Sequence, residues 1–116
     1  MYEDDLLEEI KRYVLSHLQE EITLGKIADA ICYSEEHTSR FFKQQTGQNL
    51  FDFIRSQRLI RAAEQIRDKG GKIVNTAVDY GFNSHEVFTR SFSAYFGISP
   101  KEFRMNKPTL PLLDRP

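Results

Sequence analysis

The sequence predicts an all-α fold with two helix-turn-helix subdomains joined by a long central helix. Apolar residues recur at three- and four-residue spacing along most of the chain, which is the period of a helix face. A pattern within residues 27–47 recurs within residues 76–104, which indicates one short structural unit built twice. In each copy, two short helices meet at a small residue and the second helix starts at a serine, as in helix-turn-helix units.

The two copies match residue by residue, with one inserted residue near Asn83. Matching residues lie 49 positions apart up to the turn and 50 positions apart after it. The matched pairs are Ala28 and Ala77, Cys32 and Gly81, Tyr33 and Phe82, Ser34 and Ser84, Glu36 and Glu86, Arg40 and Arg90, Phe42 and Phe92, and Gly47 and Gly97. A chain that builds this motif twice is expected to bind DNA.

Composition limits the class of protein. With 116 residues, 40% of them apolar, the chain suits one domain or two very small ones. The single cysteine, Cys32, excludes an internal disulfide and suits a reducing compartment. The N-terminus is acidic where a signal peptide is basic, and no stretch approaches 18 apolar residues. We therefore expect a cytoplasmic protein without membrane contact.

The first subdomain is predicted to contain three helices. Apolar spacing places the first over residues 5–19, with acidic residues at the positive end of the helix dipole. Thr23 is a suitable N-cap for a short second helix that carries Leu24, Ile27, Ala28 and Ile31. After a turn at Cys32, Ser34 caps a third helix over residues 35–46.

The third helix has two different sides. Its predicted core side is formed by Thr38, Phe41, Phe42 and Gln45. A polar stripe at i, i+3, i+4 and i+7 spacing is formed by Glu36, Ser39, Arg40 and Lys43. Gly47 is predicted to end the helix in the left-handed conformation.

The longest helix is predicted over residues 50–68, and Gly70-Gly71 ends it. Its residues available for burial are Phe53, Ile54, Leu59, Ala62, Ala63 and Ile66. Arg55, Arg58 and Arg61 are expected to form a solvated or intramolecularly paired face. A helix of about 19 residues spans roughly 28 Å, which approaches the ~34–36 Å between successive major grooves on one face of a duplex. One chain could therefore read two grooves without a dimer.

The second subdomain repeats the pattern of the first. Its first helix is marked by Ile73, Val74, Ala77 and Tyr80, and Gly81 supplies the turn. Ser84 caps a helix to about residue 96, in which Phe88, Phe92 and Phe96 are expected to face the core. Its other side carries Glu86, Thr89, Arg90 and Ser93, with His85 beside them. Ser99-Pro100 is predicted to start a last short helix.

The two polar stripes have the chemistry of base readers. A recognition helix needs an apolar side that fixes its position and a polar side that meets base edges in the major groove. Arginine bonds guanine through two atoms, serine and threonine are less selective, and glutamate accepts from cytosine. Both stripes meet these requirements at matching positions.

Residues 77–104 closely resemble the signature of AraC/XylS-type transcription regulators. The resemblance is carried by Ala77, Gly81, Phe82, Phe88, Arg90, Phe92, Phe96, Gly97, Ser99, Pro100, Phe103 and Arg104. The family's connecting helix is resembled by Ile54, Arg55, Arg58, Leu59 and Ala62. The resemblance covers about residues 5–105. It implies seven helices in two homeodomain-like helix-turn-helix subdomains, and a bacterial transcription activator that contacts RNA polymerase.

Mapped by motif position, the resemblance implies specific DNA contacts. Base contacts fall on Glu36, Ser39, Arg40, His85, Glu86, Thr89 and Arg90. For Arg90, a structural salt bridge is the alternative to base or phosphate contact. Backbone contacts are expected from Lys43, Ser84, Lys72 and Asn75. Cys32 stands where the family has a turn glycine, which affects the expected geometry of that turn. Glu35 and Glu36 make the start of the first recognition helix acidic, which predicts a weak or selective contact there. The alternative is a charge pair that favours the helix start and reads no base.

The net charge of −1 and the pI near 6.3 are low for a nucleic-acid binder. Residues 1–22 hold seven acidic and two basic residues, a net of −5, whereas residues 23–116 hold ten acidic and fourteen basic residues, a net of +4. The part with both motifs is therefore mildly basic. We expect modest, salt-sensitive DNA affinity.

A helical protein-interaction module that has lost its DNA surface is the alternative function. The acidic first helix, Glu36 and Glu86 favour it. No nucleophile motif or glycine-rich phosphate loop occurs, so we expect neither an enzyme nor a cofactor. Three scattered histidines and one cysteine do not form a zinc motif. Cys32 is expected to be a small, half-buried residue.

The predicted organisation has four parts: a first subdomain over residues 1–49, the connecting helix over 50–69, a second subdomain over 70–105, and a proline-rich tail over 106–116. The tail is stiff and partly apolar, so we expect it to lead into a C-terminal domain. In family members of that design, a gyrase-inhibitor-like domain binds the small-molecule effector. The alternatives are a complete stand-alone activator and a C-terminal fragment of a longer protein.

Overall fold

The computed structural model of the chain describes residues 2–109, with side chains from Asp5 onward. Its helices are α1 Tyr2–Ser16, α2 Leu24–Ile31, α3 Glu35–Thr46, α4 Leu50–Asp68, α5 Ile73–Asp79, α6 His85–Phe96 and α7 Pro100–Asn106. Residues 2–109 contain seven helices and no strand, so the predicted all-α class is confirmed. The predicted tail residues Leu110, Pro111, Leu112, Leu113 and Pro116 lie outside the described residues.

The chain divides into two compact units, Met1–Arg55 (unit 1) and Ser56–Pro116 (unit 2). The buried apolar residues of unit 1 include Leu6, Ile10, Val14, Leu18, Ile27, Ala28, Ile31, Phe41, Phe42, Leu50 and Ile54. The core of unit 2 is formed by Leu59, Ala62, Ala63, Ile66, Ala77, Phe88, Phe92 and Phe103. Each unit thus buries the apolar faces of its own helices.

Helix α1 begins and ends three residues earlier than the predicted range of 5–19. The Ser16 hydroxyl donates to the Arg12 carbonyl over 2.8 Å, and His17 Nδ1 lies 2.7 Å from the Tyr13 carbonyl oxygen. The Tyr13 carbonyl is one of the last four of the helix, which lack a regular amide partner, and the His17 ring bonds it. Leu18 lies beyond the helix end but is buried like the core residues of α1. Its apolar side chain at helical spacing therefore led to the prediction of a longer helix.

The turns of the two helix-turn-helix units have the same backbone hydrogen bonds. The amides of Tyr33 and Phe82 donate to the carbonyls of Ala28 and Ala77, each over 3.0 Å. This six-residue bond is typical of a helix that ends at a left-handed residue. Cys32 takes that conformation with φ 64°, and Gly81 does so with φ 84°. The turn therefore keeps its geometry without the glycine.

Cys32 is exposed, so the prediction that it is half-buried is wrong. It follows the last residue of α2, beyond the buried Ile31, and no core of unit 1 extends over it. An L side chain in the left-handed region costs about 1–2 kcal/mol, because its Cβ lies close to the following carbonyl oxygen. Cys32 therefore strains the turn, and a glycine there would relieve the strain.

Replacing Cys32 with glycine is expected to stabilise unit 1 by about 0.5–1 kcal/mol, since the relief of strain exceeds the extra entropy that glycine loses on folding. Thermal unfolding should shift upward by ~3 °C. The matched control is Gly81→Ala, in which φ 84° makes the new Cβ unfavourable although its nearest neighbour lies 3.7 Å away. That variant should unfold at a lower temperature. A lower melting temperature for Cys32→Gly would contradict the prediction.

Within unit 2, polar side chains tie the neighbouring segments to α4. Gln65 Nε2 donates to the buried Thr76 hydroxyl of α5 over 3.1 Å. Arg104 Nε of α7 donates to the Ile66 carbonyl over 3.2 Å. Arg67 Nη1 donates to the Pro108 carbonyl over 3.3 Å, so the first tail residues also contact α4. These bonds fix the helices that surround α6.

Candidate nucleic-acid interface

Helix α3 is clamped on one side and exposed on the other. The Ser34 hydroxyl accepts from the His37 amide over 3.1 Å, and Gly47 ends the helix with φ 76°. Thr38, Phe41 and Phe42 are buried, as predicted. Gln45 is exposed, and its predicted place on the core side is wrong. Glutamine loses hydrogen bonds to water on burial, whereas the phenylalanines gain free energy from it.

Helix α6 has the same design. The Ser84 hydroxyl accepts from the Val87 amide over 3.0 Å, and Gly97 ends the helix with φ 84°. Phe88 and Phe92 are fully buried, and the partly buried Phe96 packs against the same core. The prediction that these three rings face the core is confirmed.

The predicted base-contact residues lie on the outer faces of these two helices. Glu36, Ser39, Arg40, His85, Glu86 and Arg90 are exposed, and Thr89 is half-buried. Thr89 Oγ1 lies 3.5 Å from His85 Nε2, so these two side chains are neighbours on α6. Each unit therefore has one accessible recognition face. The base contacts of these faces stay predictions.

The predicted backbone-contact residues Lys43, Ser84, Lys72 and Asn75 are all exposed. Lys43 lies on α3, and Ser84 forms the N-cap of α6. Lys72 forms the N-cap of α5 and makes no side-chain cap bond, as expected for an ammonium, which has no acceptor for the helix amides. Asn75 lies in the first turn of α5, beside Lys72. Lys72 and Asn75 thus share one helix start.

Each recognition face carries a glutamate–arginine ion pair that the sequence analysis did not identify as a pair. Arg40 Nη2 lies 3.0 Å from Glu36 Oε1, and Arg90 Nη2 lies 3.6 Å from Glu86 Oε1. The i, i+4 spacing with glutamate first was the available signal. These arginines are 57% and 70% exposed, so each pair contributes only about 0.3–0.5 kcal/mol. The arginines can therefore leave their partners for DNA at little cost.

Unit 1 has a groove of about 750 Å³ beside α3. It is lined by Leu24, Glu35, Glu36, Ser39, Arg40, Lys43 and Asn49. Leu24 and Asn49 were not among the predicted contact residues, because neither belongs to the polar stripe of α3. A Cβ placed on Gly25 would lie 3.2 Å from Glu35 Oε2, so the Glu35 carboxylate lies over the first turn of α2. The positive end of the α2 dipole favours a carboxylate there, which gives Glu35 a structural role.

The arginines of α4 are engaged within their own units. Arg55 Nη1 lies 3.3 Å from Asp52 Oδ1 in unit 1, and Arg61 Nη1 lies 3.7 Å from Glu64 Oε1 in unit 2. Burial lowers the pKa of the half-buried Arg58 guanidinium from its ordinary value. The interpretation of this row as an intramolecularly paired face agrees with these contacts.

The described residues contain neither a metal site nor a membrane-spanning helix. No group of three or more histidine, cysteine, aspartate or glutamate side chains there could hold a metal ion. None of the helices described here is long and apolar enough to cross a membrane.

Comparison with known proteins identifies the fold. A family model described as "Helix-turn-helix domain" matches residues 27–106. A crystal structure of a transcriptional regulator with an AraC-type DNA-binding domain, from Chromobacterium violaceum, is similar with a TM-score of 0.87 and 24% identity, over 91% of this chain and 95% of that chain. The DNA-binding domain of AdpA, crystallised with a target DNA, is similar with a TM-score of 0.78 and 24% identity, over 86% and 90%.

Two relatives have more similar sequences. The multiple antibiotic resistance protein MarA of Escherichia coli (strain K12) is 32% identical over 93 residues, which are 80% of this chain and 73% of MarA. The probable transcription factor PqrA of Proteus vulgaris is 34% identical over 105 residues, which are 89% of this chain and 86% of PqrA. The chain therefore belongs to the AraC/XylS family of helix-turn-helix proteins and is a DNA-binding transcription regulator, not an enzyme.

Proposed function

We propose that the chain activates transcription by placing α3 and α6 in successive major grooves of one DNA duplex. The observation that carries this proposal is the design of the two helices. Each is fixed by a serine cap and by buried side chains on one side, and each exposes a polar stripe on the other. The use of two grooves is supported by the repeat itself, because each unit carries one such helix.

Base edges are read by the outer faces of α3 and α6. On α3 the readers are Glu36, Ser39 and Arg40, and on α6 they are His85, Glu86, Thr89 and Arg90. The two arginines donate to guanine, and the two glutamates accept from cytosine amino groups. The hydroxyl groups of Ser39 and Thr89 are less selective partners.

The sugar–phosphate backbone is contacted by Lys43, Ser84, Lys72 and Asn75. Lys72 and Asn75 lie at the start of α5, where backbone amides and the helix dipole add to the attraction for a phosphate. Ser84 is placed similarly at the start of α6. The contacts of Lys72, Asn75 and Ser84 set the orientation of unit 2 on the duplex. They carry no sequence information themselves.

Activation and the remaining partners rest on the family. A relative from Providencia stuartii, 29% identical over 105 residues, is named an HTH-type transcriptional activator, AarP. We extend that role to this chain, with RNA polymerase as the protein partner. A small-molecule effector would act through a domain outside this sequence, to which the tail would lead. The four-part organisation into residues 1–49, 50–69, 70–105 and 106–116 belongs to the same proposal.

A band-shift titration tests DNA binding directly. The chain should bind generic duplex at low salt, and its affinity should fall steeply as salt rises, because phosphate contacts release counterions. Unit 1 carries eleven acidic and six basic residues, whereas unit 2 carries six acidic and ten basic residues. Most of the salt dependence should therefore arise from unit 2. Absence of binding at protein concentrations of tens of micromolar would refute the proposal.

Replacing Lys72 with alanine is expected to weaken binding equally on all sequences and to reduce the slope of log affinity against log salt by about 1, because one phosphate contact is lost. The control is Lys101→Ala, which removes an equally exposed lysine of α7 that has no proposed contact. An unchanged slope for Lys72→Ala, or equal effects of both variants, would remove Lys72 from the interface.

A protein-interaction module is the second candidate function. It is favoured by the acidity of unit 1, whose net charge is −5, and by the carboxylates on both recognition faces. The same titration separates the candidates, because an adaptor would not bind duplex at tens of micromolar even at low salt.

A further inference from the structure

The recognition helices of the two units have the same length and the same register. Each has 12 residues, follows a serine cap, and ends at a glycine whose amide donates over 2.8 Å to the carbonyl four residues earlier. Counted from the serine, position 2 is Glu36 or Glu86 and position 6 is Arg40 or Arg90. Equivalent side chains therefore leave equivalent points along the two helices.

Each helix also has the same rotation about its axis relative to the core of its own unit. Position 4 is fully buried in both units, as Thr38 and as Phe88. Position 8 is fully buried in both units, as Phe42 and as Phe92. Since a helix advances by a fixed angle per residue, matching buried positions place positions 2, 5 and 6 at matching angles from each core.

The outward positions divide into a shared set and a variable set. Position 2 is glutamate, position 5 carries a hydroxyl group (Ser39 or Thr89), and position 6 is arginine in both helices. Positions 1, 3 and 9 differ: they are Glu35, His37 and Lys43 in α3, and His85, Val87 and Ser93 in α6. The middle of each recognition face is thus the same, and its margins differ.

The shared glutamate and arginine have complementary requirements in a major groove. The arginine donates to N7 and O6 of a guanine, and the glutamate accepts from N4 of a cytosine. Their side chains are neighbours in each helix, with the ion-pair atoms 3.0 Å and 3.6 Å apart. Four residues advance a helix by about 6 Å, which is less than two base-pair steps of ~3.4 Å, so the two side chains reach base pairs that lie close together. When the arginine leaves the glutamate for a guanine, the carboxylate loses its ion-pair partner, and a cytosine amino group can replace that partner.

We infer that the DNA target of this chain contains two half-sites with one common core, in which a guanine meets arginine and a nearby cytosine meets glutamate. The common core can lie on either strand of each half-site. The flanking bases differ between half-sites because the margins of α3 and α6 differ. This inference rests on the proposed function and extends it to the sequence class of the target. It gives both glutamates one role, which is to reject sites that lack the cytosine.

The test begins with selection of bound sequences from a random duplex pool, using the full chain. The enriched sequences should contain two blocks with the same guanine- and cytosine-containing core. Single-base substitutions in each block are then measured with Glu36→Gln and with Glu86→Gln. Each variant should lose about tenfold of its preference for the cytosine in one block and keep it in the other block, because only one reader has changed in each protein.

Glu21→Gln is the matched control, because it removes the same charge from an exposed position of unit 1 that lies outside both recognition helices. It should leave both cytosine preferences unchanged. Two enriched blocks without a common core would overturn the inference and leave DNA binding intact. Equal gains in affinity on all sequences for Glu36→Gln and Glu86→Gln would also overturn it, because the carboxylates would then only repel phosphates. Absence of any enrichment and of any band shift would instead refute the proposed function itself.

Discussion

Replacing Phe92 with alanine is expected to destabilise unit 2 by about 3–5 kcal/mol, the range for a phenylalanine removed from a packed core. Phe92 is fully buried at the centre of the aromatic cluster. The centroid of its ring lies 5.6 Å from the ring centroid of Phe88, 4.6 Å from that of Phe96 and 5.4 Å from that of Phe103. The cavity would therefore open where α6 and α7 meet.

Thermal unfolding followed by circular dichroism measures this effect, and DNA binding should fail with the loss of folded unit 2. The control is Tyr95→Ala on the same helix, since Tyr95 is 43% exposed and its removal opens no comparable cavity. Tyr95→Ala should change stability by much less. If Phe92→Ala kept the melting temperature of the parent chain, the rotation of α6 described above would be wrong.

The fold was predictable where local chemistry and apolar spacing agree. Ser34, Ser84 and Ser99 each accept an amide hydrogen bond at a helix start, and Gly47 and Gly97 end helices in the left-handed conformation. Such residues have strong positional preferences of their own. The ends of α3 and α6 and the start of α7 therefore follow the sequence closely.

The prediction failed where a side chain acts through a contact that spacing does not encode. The end of α1 depends on Ser16 and His17 bonding carbonyls of the preceding turn. The spacing of Gln45 places it on the core side of α3, yet its side chain is exposed to water. Cys32 keeps a turn that glycine would form with less strain. In each case, the helix period predicts which side of a helix a residue lies on. The chemistry of the side chain then decides where the helix ends or whether the residue is buried.

The site was predictable as two faces, because a core stripe at helical spacing leaves the opposite stripe exposed. Pairing within those faces was missed, since Glu36 and Arg40 were assessed as separate readers. The groove of unit 1 was missed for another reason. It includes Leu24 from α2 and Asn49 from the turn before α4, and only the tertiary structure brings these residues beside α3.

Replacing Arg90 with alanine is expected to cost about 1–3 kcal/mol on the preferred site, which is roughly 5- to 150-fold in affinity, and to relax specificity at one or two base pairs. Arg90 is 70% exposed, and its guanidinium lies 3.6 Å from Glu86. It belongs to the unit with the basic excess. Little therefore competes with a guanine for its donors.

Arg40→Ala should have a smaller effect, because its unit carries a net charge of −5 and is repelled by the phosphates. Glu35 and Glu36 place two carboxylates at the start of the same helix. Measurement of both variants on the selected site and on random duplex gives the answer, with Arg61→Ala as a control that removes a charge already paired with Glu64. Base readout requires a larger loss on the selected site than on random duplex. Equal losses on the two duplexes would make Arg40 and Arg90 phosphate contacts, and the specificity would then have to come from the other residues of the two faces.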